Sequence, residues 1–170
     1  MTDAPELSLI VPVYDEEDNL EPLHTAIIEA LTDYPFEVIY VNDGSRDRSA
    51  AVLDNIAQQD PRAKVIHFVR NYGQTAALTA GIRSAEADLL VTLDADLQND
   101  PADIPEMMNH LEHADVVCGW RKDRQDAYLS RTFPSKIANW LISRLSNVYM
   151  HDYGCTLRIY RKEFIKDIPL

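Results

Sequence analysis

The sequence has only two cysteines, five glycines and no long apolar run, and each shortage closes off a class of protein. Cys118 and Cys155 form no Cys-x-x-Cys pair and are too few for a disulfide framework, so both read as buried thiols, with no structural zinc site. Charge-free stretches such as Asn71 to Ile82 fall well short of the ~20 apolar residues that cross a bilayer. The N-terminus, MTDAPELS, lacks both a basic start and an apolar h-region, so no signal peptide is visible and a cytoplasmic location is expected. No Gly-x-Gly-x-x-Gly follows the first predicted strand and no Walker A sequence occurs, which leaves a dinucleotide fold and a P-loop enzyme unsupported. Basic residues are scarce as well: 16 Lys and Arg stand against 28 Asp and Glu, and the formal charge of −12 argues against nucleic acid as a partner.

What is present is an ordinary globular composition, 46% hydrophobic and 26% charged, in 170 residues. That length suits a single domain over residues 1–170 with a sizeable core. The charge is unevenly spread: residues 1–118 hold 6 basic and 23 acidic side chains, whereas residues 119–170 hold 10 and 5. A basic segment behind an acidic body suits a phosphate or an anionic membrane surface, and equally a solvated helical face.

Strand and helix patterns alternate along the chain. Leu7 to Tyr14, Phe36 to Val41, Lys64 to Val69, Asp88 to Leu93 and Asp115 to Trp120 read as strands, with Thr156 to Tyr160 as a last one. Between them, helical periodicity runs over Leu20 to Leu31, Ser49 to Gln59, Gln74 to Ala85 and Ala102 to His113, and a long helix is expected over Tyr128 to Val148. His67, with no second His at metal spacing, reads as a satisfied core or edge histidine. Alternation of this kind predicts an α/β fold, a mostly parallel sheet with helices on both faces and ligands at the strands' carboxyl ends. Glu16, Asp43, Arg70, Asp94, Asp96 and Arg121 all fall just after predicted strands, where that rule puts function.

The stretch LLVTLDADLQNDP, from Leu89 to Pro101, changes abruptly from an apolar strand to an acidic loop. An Asp-x-Asp pair alone means little in a chain with 18 Asp; its place at a strand end is what counts. In an extended chain Asp94 and Asp96 would point the same way and, with the Gln98 amide, offer hard oxygen ligands to Mg²⁺ or Mn²⁺. Asp100 before Pro101 reads as a helix cap.

Taken together, IVPVYDEEDNL from Ile10, VNDGSRDRS from Val41, RNYGQTAAL from Arg70, LDADLQNDP from Leu93 and the stretch from Gly119 through SRTFPSK resemble a known family. They are similar, in order and over nearly the whole chain, to inverting family 2 nucleotide-sugar glycosyltransferases of the GT-A fold, in the polyprenyl-phosphate branch that includes dolichyl-phosphate mannose synthases. The resemblance implies a nucleotide pocket of Pro12, Tyr14, Glu16, Asp43 and Asp94, with Asp96 and Gln98 as ligands of Mg²⁺ or Mn²⁺. It implies catalytic roles for Asp94, Arg121 and Arg131, and an acceptor-phosphate site of Arg121, Arg131 and Ser135, with Arg70 and Arg158 as weaker candidates. The implied reaction transfers a hexose from a nucleotide-diphosphate sugar, of the GDP-mannose or UDP-glucose type, to undecaprenyl or dolichyl phosphate at the cytoplasmic face of a membrane. A transferase acting on a sugar hydroxyl and a catalytically silent nucleotide-binding module stay open as alternatives, as do oligomeric state and donor base. Members of that family commonly continue with membrane-associated segments, so the chain is expected to lack such C-terminal parts.

Overall fold

The computed structural model describes residues 4–112, 114–120 and 155–165. Six strands, β1 (Leu7–Val13), β2 (Phe36–Asn42), β3 (Ala63–His67), β4 (Leu89–Thr92), β5 (Val116–Cys118) and β6 (Arg158–Arg161), form one sheet in the order β3-β2-β1-β4-β6-β5. The pairs β1–β2, β1–β4 and β2–β3 are parallel, while β6 runs antiparallel to both β4 and β5. This is the mixed α/β, mostly parallel sheet the alternation predicts. Among the described residues the helices are α1 (Leu20–Ala30), α2 (Ser49–Gln59), α3 (Gln74–Ser84), α4 (Ile104–Asn109) and α5 (Lys162–Ile165).

The central strands are apolar on both faces because helices cover both. Leu7, Leu9, Val11 and Val13 of β1 and Phe36, Val38 and Tyr40 of β2 pack with Leu23 and Ile27 of α1, Leu53 of α2 and Ile104 of α4. The alternate residues Ile10, Ile39, Val41 and Leu90 face Ala77 and Ile82 of α3 on the other side. α3 lies very close to the sheet: a Cβ on Gly81 would overlap the Ile10 side chain.

The amino-terminal edge of the sheet carries a polar lock. Buried Glu37 accepts from Ser8 Oγ at 2.5 Å and Glu86 N at 2.7 Å, and pairs with Lys64 Nζ at 2.7 Å. Ser8 Oγ in turn accepts from Ala87 N at 3.0 Å, so four strands are tied at their starts, the end away from the candidate ligand edge.

Several boundaries differ from the sequence reading. β3 stops at His67, not Val69, because its ladder partner β2 ends at Asn42; Val69 is then 91% exposed. The helix expected over Ala102 to His113 breaks into a 3₁₀ turn (Pro101–Asp103), α4 and a second 3₁₀ turn (His110–Glu112). Pro101 and Pro105 remove amide donors at two successive starts, so a continuous ladder from Ala102 cannot form. Asp100 does cap that start, accepting from Ala102 N at 2.9 Å. β5 is shorter than expected, and β6 begins two residues later, because Thr156 is engaged outside the ladder: its carbonyl accepts from Thr92 Oγ1 at 2.7 Å. The helix expected over Tyr128 to Val148 lies outside the described residues.

Candidate functional site

At the carboxyl ends of β1, β2 and β4 a cavity of about 250 Å³ opens. β1 and the turn after it supply Pro12, Val13, Tyr14 and Glu16, the turn after β2 supplies Asp43, and the loop after β4 supplies Asp94, Ala95 and Asp96. The loop before α3 adds Asn71 and Gly73, and α3 begins with Gln74 at the rim. Pro12, Tyr14, Glu16, Asp43, Asp94 and Asp96 are thus brought together around one space.

The turns after β1 and β2 are zipped to each other by side chains bonded to backbone amides. Asp15, at φ 56°, accepts from Arg46 N at 2.6 Å, and its own amide donates to Ser45 Oγ at 3.1 Å. Glu16 N donates to Ser49 Oγ at 3.0 Å, and the Glu16 carboxylate accepts from Asn19 Nδ2 at 2.6 Å. Asp47 accepts from Ser49 N and Glu17 N; burial opposes its charge, but these bonds outweigh it and hold its carboxyl below the usual range.

Asp43 is buried, its two oxygens accepting from Tyr72 N at 2.7 Å and Gly73 N at 2.9 Å. It therefore fixes the loop before α3 as well as facing the cavity. Gly44 makes this approach possible. At φ +70° it sits where L side chains are strained, and a Cβ there would lie 2.6 Å from Arg70 Cα and 2.7 Å from Asn71 N.

The Asp-x-Asp pair differs from the expected extended geometry. β4 ends at Thr92, Ala95 and Asp96 form a turn, and Leu97 is left-handed at φ 59°. The turn still leaves both carboxylates on the cavity. Asp94 Oδ1 accepts from Gln74 Nε2 at 2.8 Å, and Asp96 Oδ1 accepts from Gln98 N at 3.1 Å. Gln98 is exposed and is not among the lining residues. Behind the turn, buried Asn99 donates to Thr156 Oγ1 at 3.2 Å and accepts from Cys155 Sγ at 3.2 Å, anchoring the loop to the segment before β6.

Arg70 does not line the cavity; its guanidinium stacks 4.9 Å from the Tyr72 ring centre. Arg158 Nε donates to the Cys155 carbonyl at 3.0 Å. Arg121, Arg131 and Ser135 lie outside the described residues. His67 is an edge residue with both ring nitrogens engaged, by Asn42 Nδ2 and by Asp54, each at 3.0 Å. Sequence reasoning missed Asn71, Gly73 and Gln74 as lining residues; the signal available was the turn sequence Asn71-Tyr72-Gly73 between a predicted strand and helix.

None of the described lining residues is Lys or Arg, whereas Glu16, Asp43, Asp94 and Asp96 all carry carboxylates. Such a lining repels a bare diphosphate and suits a hard divalent cation with oxygen ligands. Among the described residues no three His, Cys, Asp or Glu side chains converge as a complete metal cage. A carboxylate pair with the other positions left to phosphate and water is the arrangement Mg²⁺ commonly takes.

A larger hollow of about 760 Å³ lies between α1, α2 and the start of β3, and three of its ionisable groups, His24, Asp60 and Arg62, are engaged with one another. His24 Nδ1 is 2.9 Å from Tyr40 Oη and its Nε2 is 3.3 Å from Asp60, which also holds Arg62 at 2.8 Å. No described helix is long and apolar enough to cross a membrane.

Comparison with known proteins agrees with this layout. The chain is 44% identical to dodecaprenyl-phosphate galacturonate synthase of Rhizobium johnstonii, over 97% of this chain and 50% of that protein. It is 43% identical to undecaprenyl-phosphate 4-deoxy-4-formamido-L-arabinose transferase of Pseudomonas aeruginosa, over 94% of this chain and 48% of that protein. The chain therefore spans about half the length of these relatives. Among solved structures, glucosyl-3-phosphoglycerate synthase of Mycobacterium tuberculosis superposes with a TM-score of 0.74 at 20% identity, over 98% of this chain and 60% of that one. A mannosyltransferase from Pyrobaculum calidifontis, in complex with GDP-Man and Mn²⁺, gives 0.68 at 21%, over 97% and 47%. These two likenesses carry the fold, which is that of GT-A glycosyltransferases. The family model described as "Glycosyl transferase family 2" matches residues 8–169, and the chain belongs to that family.

Proposed function

We propose that this chain is the donor-binding catalytic unit of an inverting glycosyltransferase that moves a hexose or related sugar from a nucleotide diphosphate to a polyprenyl phosphate at a membrane surface. The observation that carries the reading is the convergence of Tyr14, Glu16, Asp43, Asp94 and Asp96 on one cavity at the strands' carboxyl ends, in a family 2 chain. The names of the two relatives quoted above, both polyprenyl-phosphate sugar synthases or transferases, support the acceptor class.

In this reading Pro12, Tyr14 and Asp43 hold the nucleoside, and the Asp94–Asp96 turn meets the diphosphate. When bound there, Mg²⁺ or Mn²⁺ supplies charge neutralisation of the diphosphate and of the nucleotide as it leaves. Asp96 would hold the ion, with Gln98, which lies outside the cavity lining, as a further oxygen donor only if its amide turned inward, and Asp94 would orient the donor. An acceptor phosphate oxygen forms the new bond to the anomeric carbon from the face opposite the nucleotide, and the bond to the diphosphate breaks with its electron pair, so configuration inverts. A phosphate monoester with a second pKa of ~6 is already ionised at neutral pH, so the site needs no general base. Arg121, Arg131 and Ser135 are the residues proposed to grip that phosphate, Arg through its planar fork and Ser through its hydroxyl.

The test is calorimetric binding of UDP and GDP, each with and without Mn²⁺, to the wild type and to Asp96→Asn. Binding of one nucleotide that needs both metal and Asp96 supports the site and identifies the donor base. Binding that ignores both would sink the coordination proposed. Transfer assays with polyprenyl phosphate against a sugar-hydroxyl acceptor then separate the acceptor classes.

A further inference from the structure

The geometry points to Gln74 as a positioning residue for Asp94, in a relay that begins at Asp43; this rests on the donor-site reading above. β2 and β4 are not neighbours in the sheet, since β1 lies between them, and the cavity opens above β1. Something must set the distance between the carboxylates that follow those two strands. Asp43 grips the two consecutive amides of Tyr72 and Gly73 with its two oxygens, at 2.7 and 2.9 Å. That fixes the direction in which the chain enters α3, through Gly73 at φ 94°. Gln74 is the next residue and the first of α3, and its Nε2 donates to Asp94 Oδ1 at 2.8 Å across 20 residues of sequence. Asp43, the loop residues Tyr72 and Gly73, Gln74 of α3 and Asp94 thus form a continuous span at the cavity, hydrogen-bonded to a carboxylate at each end.

The chemistry of the donor matters as much as its place. A carboxamide offers N–H groups but no charge, so it orients a carboxylate without neutralising it. A Lys or Arg in the same place would offset negative charge that the site uses to attract a divalent ion. Because Asp94 lies two residues before Asp96 in one tight turn, holding its carboxylate also restrains the turn that carries Asp96.

A double-mutant cycle tests this. UDP and GDP are titrated in Mn²⁺ buffer into wild type, Gln74→Leu, Asp94→Asn and the double variant, with each variant's Tm measured alongside. Leu keeps the bulk of the side chain without its donors, and position 74 is exposed, so Tm is expected to stay unchanged. Losing one hydrogen bond to a charged group predicts roughly tenfold weaker nucleotide binding by Gln74→Leu. If Gln74 acts through Asp94, the double variant binds no more weakly than Asp94→Asn alone. Unchanged binding by Gln74→Leu, or losses that multiply in the double variant, overturns the relay and leaves the donor site standing. A wild type that binds neither nucleotide overturns the donor-site reading itself, which separates the two failures.

Discussion

Asp96 lies half-buried on the cavity with one oxygen accepting from the Gln98 amide, and in the proposed reading its carboxylate faces the cation. Asparagine keeps its size and removes its charge. Asp96→Asn is therefore expected to lower sugar transfer by on the order of 100-fold, with nucleotide binding no longer enhanced by Mn²⁺; a titration of activity against Mn²⁺ checks this. At this scale the sequence was informative about identity and less so about geometry. Asp43, Asp94 and Asp96 could be picked out because each follows an apolar strand, but Asp43's grip on two amides in another loop and Gln74's bond to Asp94 span 29 to 30 and 20 residues. No local pattern encodes such pairs. The turn at Ala95 and Asp96 was likewise hidden, because a strand's end is set by where its neighbours stop hydrogen bonding.

Elements meet at the site through a few close approaches, and Gly44 is the tightest of them. Gly44→Ala places a side chain on a left-handed residue and drives it into the backbone of Arg70 and Asn71. The expected cost is about 2–4 kcal/mol, from left-handed strain plus displacement of the loop before α3. Urea unfolding should show a lower midpoint, and nucleotide binding should weaken because that loop leads directly into Gln74 of α3. Strands and helices themselves were legible from periodicity, since β1 and β2 are apolar on both faces and α1 to α3 keep a helical stripe. The antiparallel placement of β6 between β4 and β5 was not legible. Periodicity reports which residues are buried; it carries no information on which strand lies beside which.

Across the whole molecule, ionisable groups away from the cavity set how stability responds to pH. His24 is buried, and although Asp60 favours its charged form, burial dominates and lowers its pKa below 6.5. The unfolded chain then binds a proton that the folded chain refuses, so stability falls as pH drops below 6.5, by at most about 1.4 kcal/mol per pH unit. Glu37 and Asp60 act in the same sense at lower pH. Burial opposes the charge of Glu37, but Lys64, Ser8 and the Glu86 amide outweigh it; Asp60 is held down first by Arg62. Their contribution is complete above the ordinary carboxylate range and is lost as pH falls through their lowered values. Urea midpoints at pH 7.5 and 5.5 should differ in the wild type and differ less in His24→Gln.

β6 also governs the order in which the described sheet can be assembled. As the chain leaves a ribosome, β1 to β4 can pair as soon as Thr92 is free, but β5 emerges with no strand to join. Until Arg161 appears, β4 keeps an unpaired edge of apolar, β-prone residues, a template for pairing with another chain. A chain cut after Trp120 should consequently self-associate more than the uncut chain, with size-exclusion profiles that shift further with concentration. β6 thus covers the strand that bears the acidic turn, and Thr156 just before it holds Asn99 and Thr92, so that turn gains its anchor only after β1 to β4 have paired.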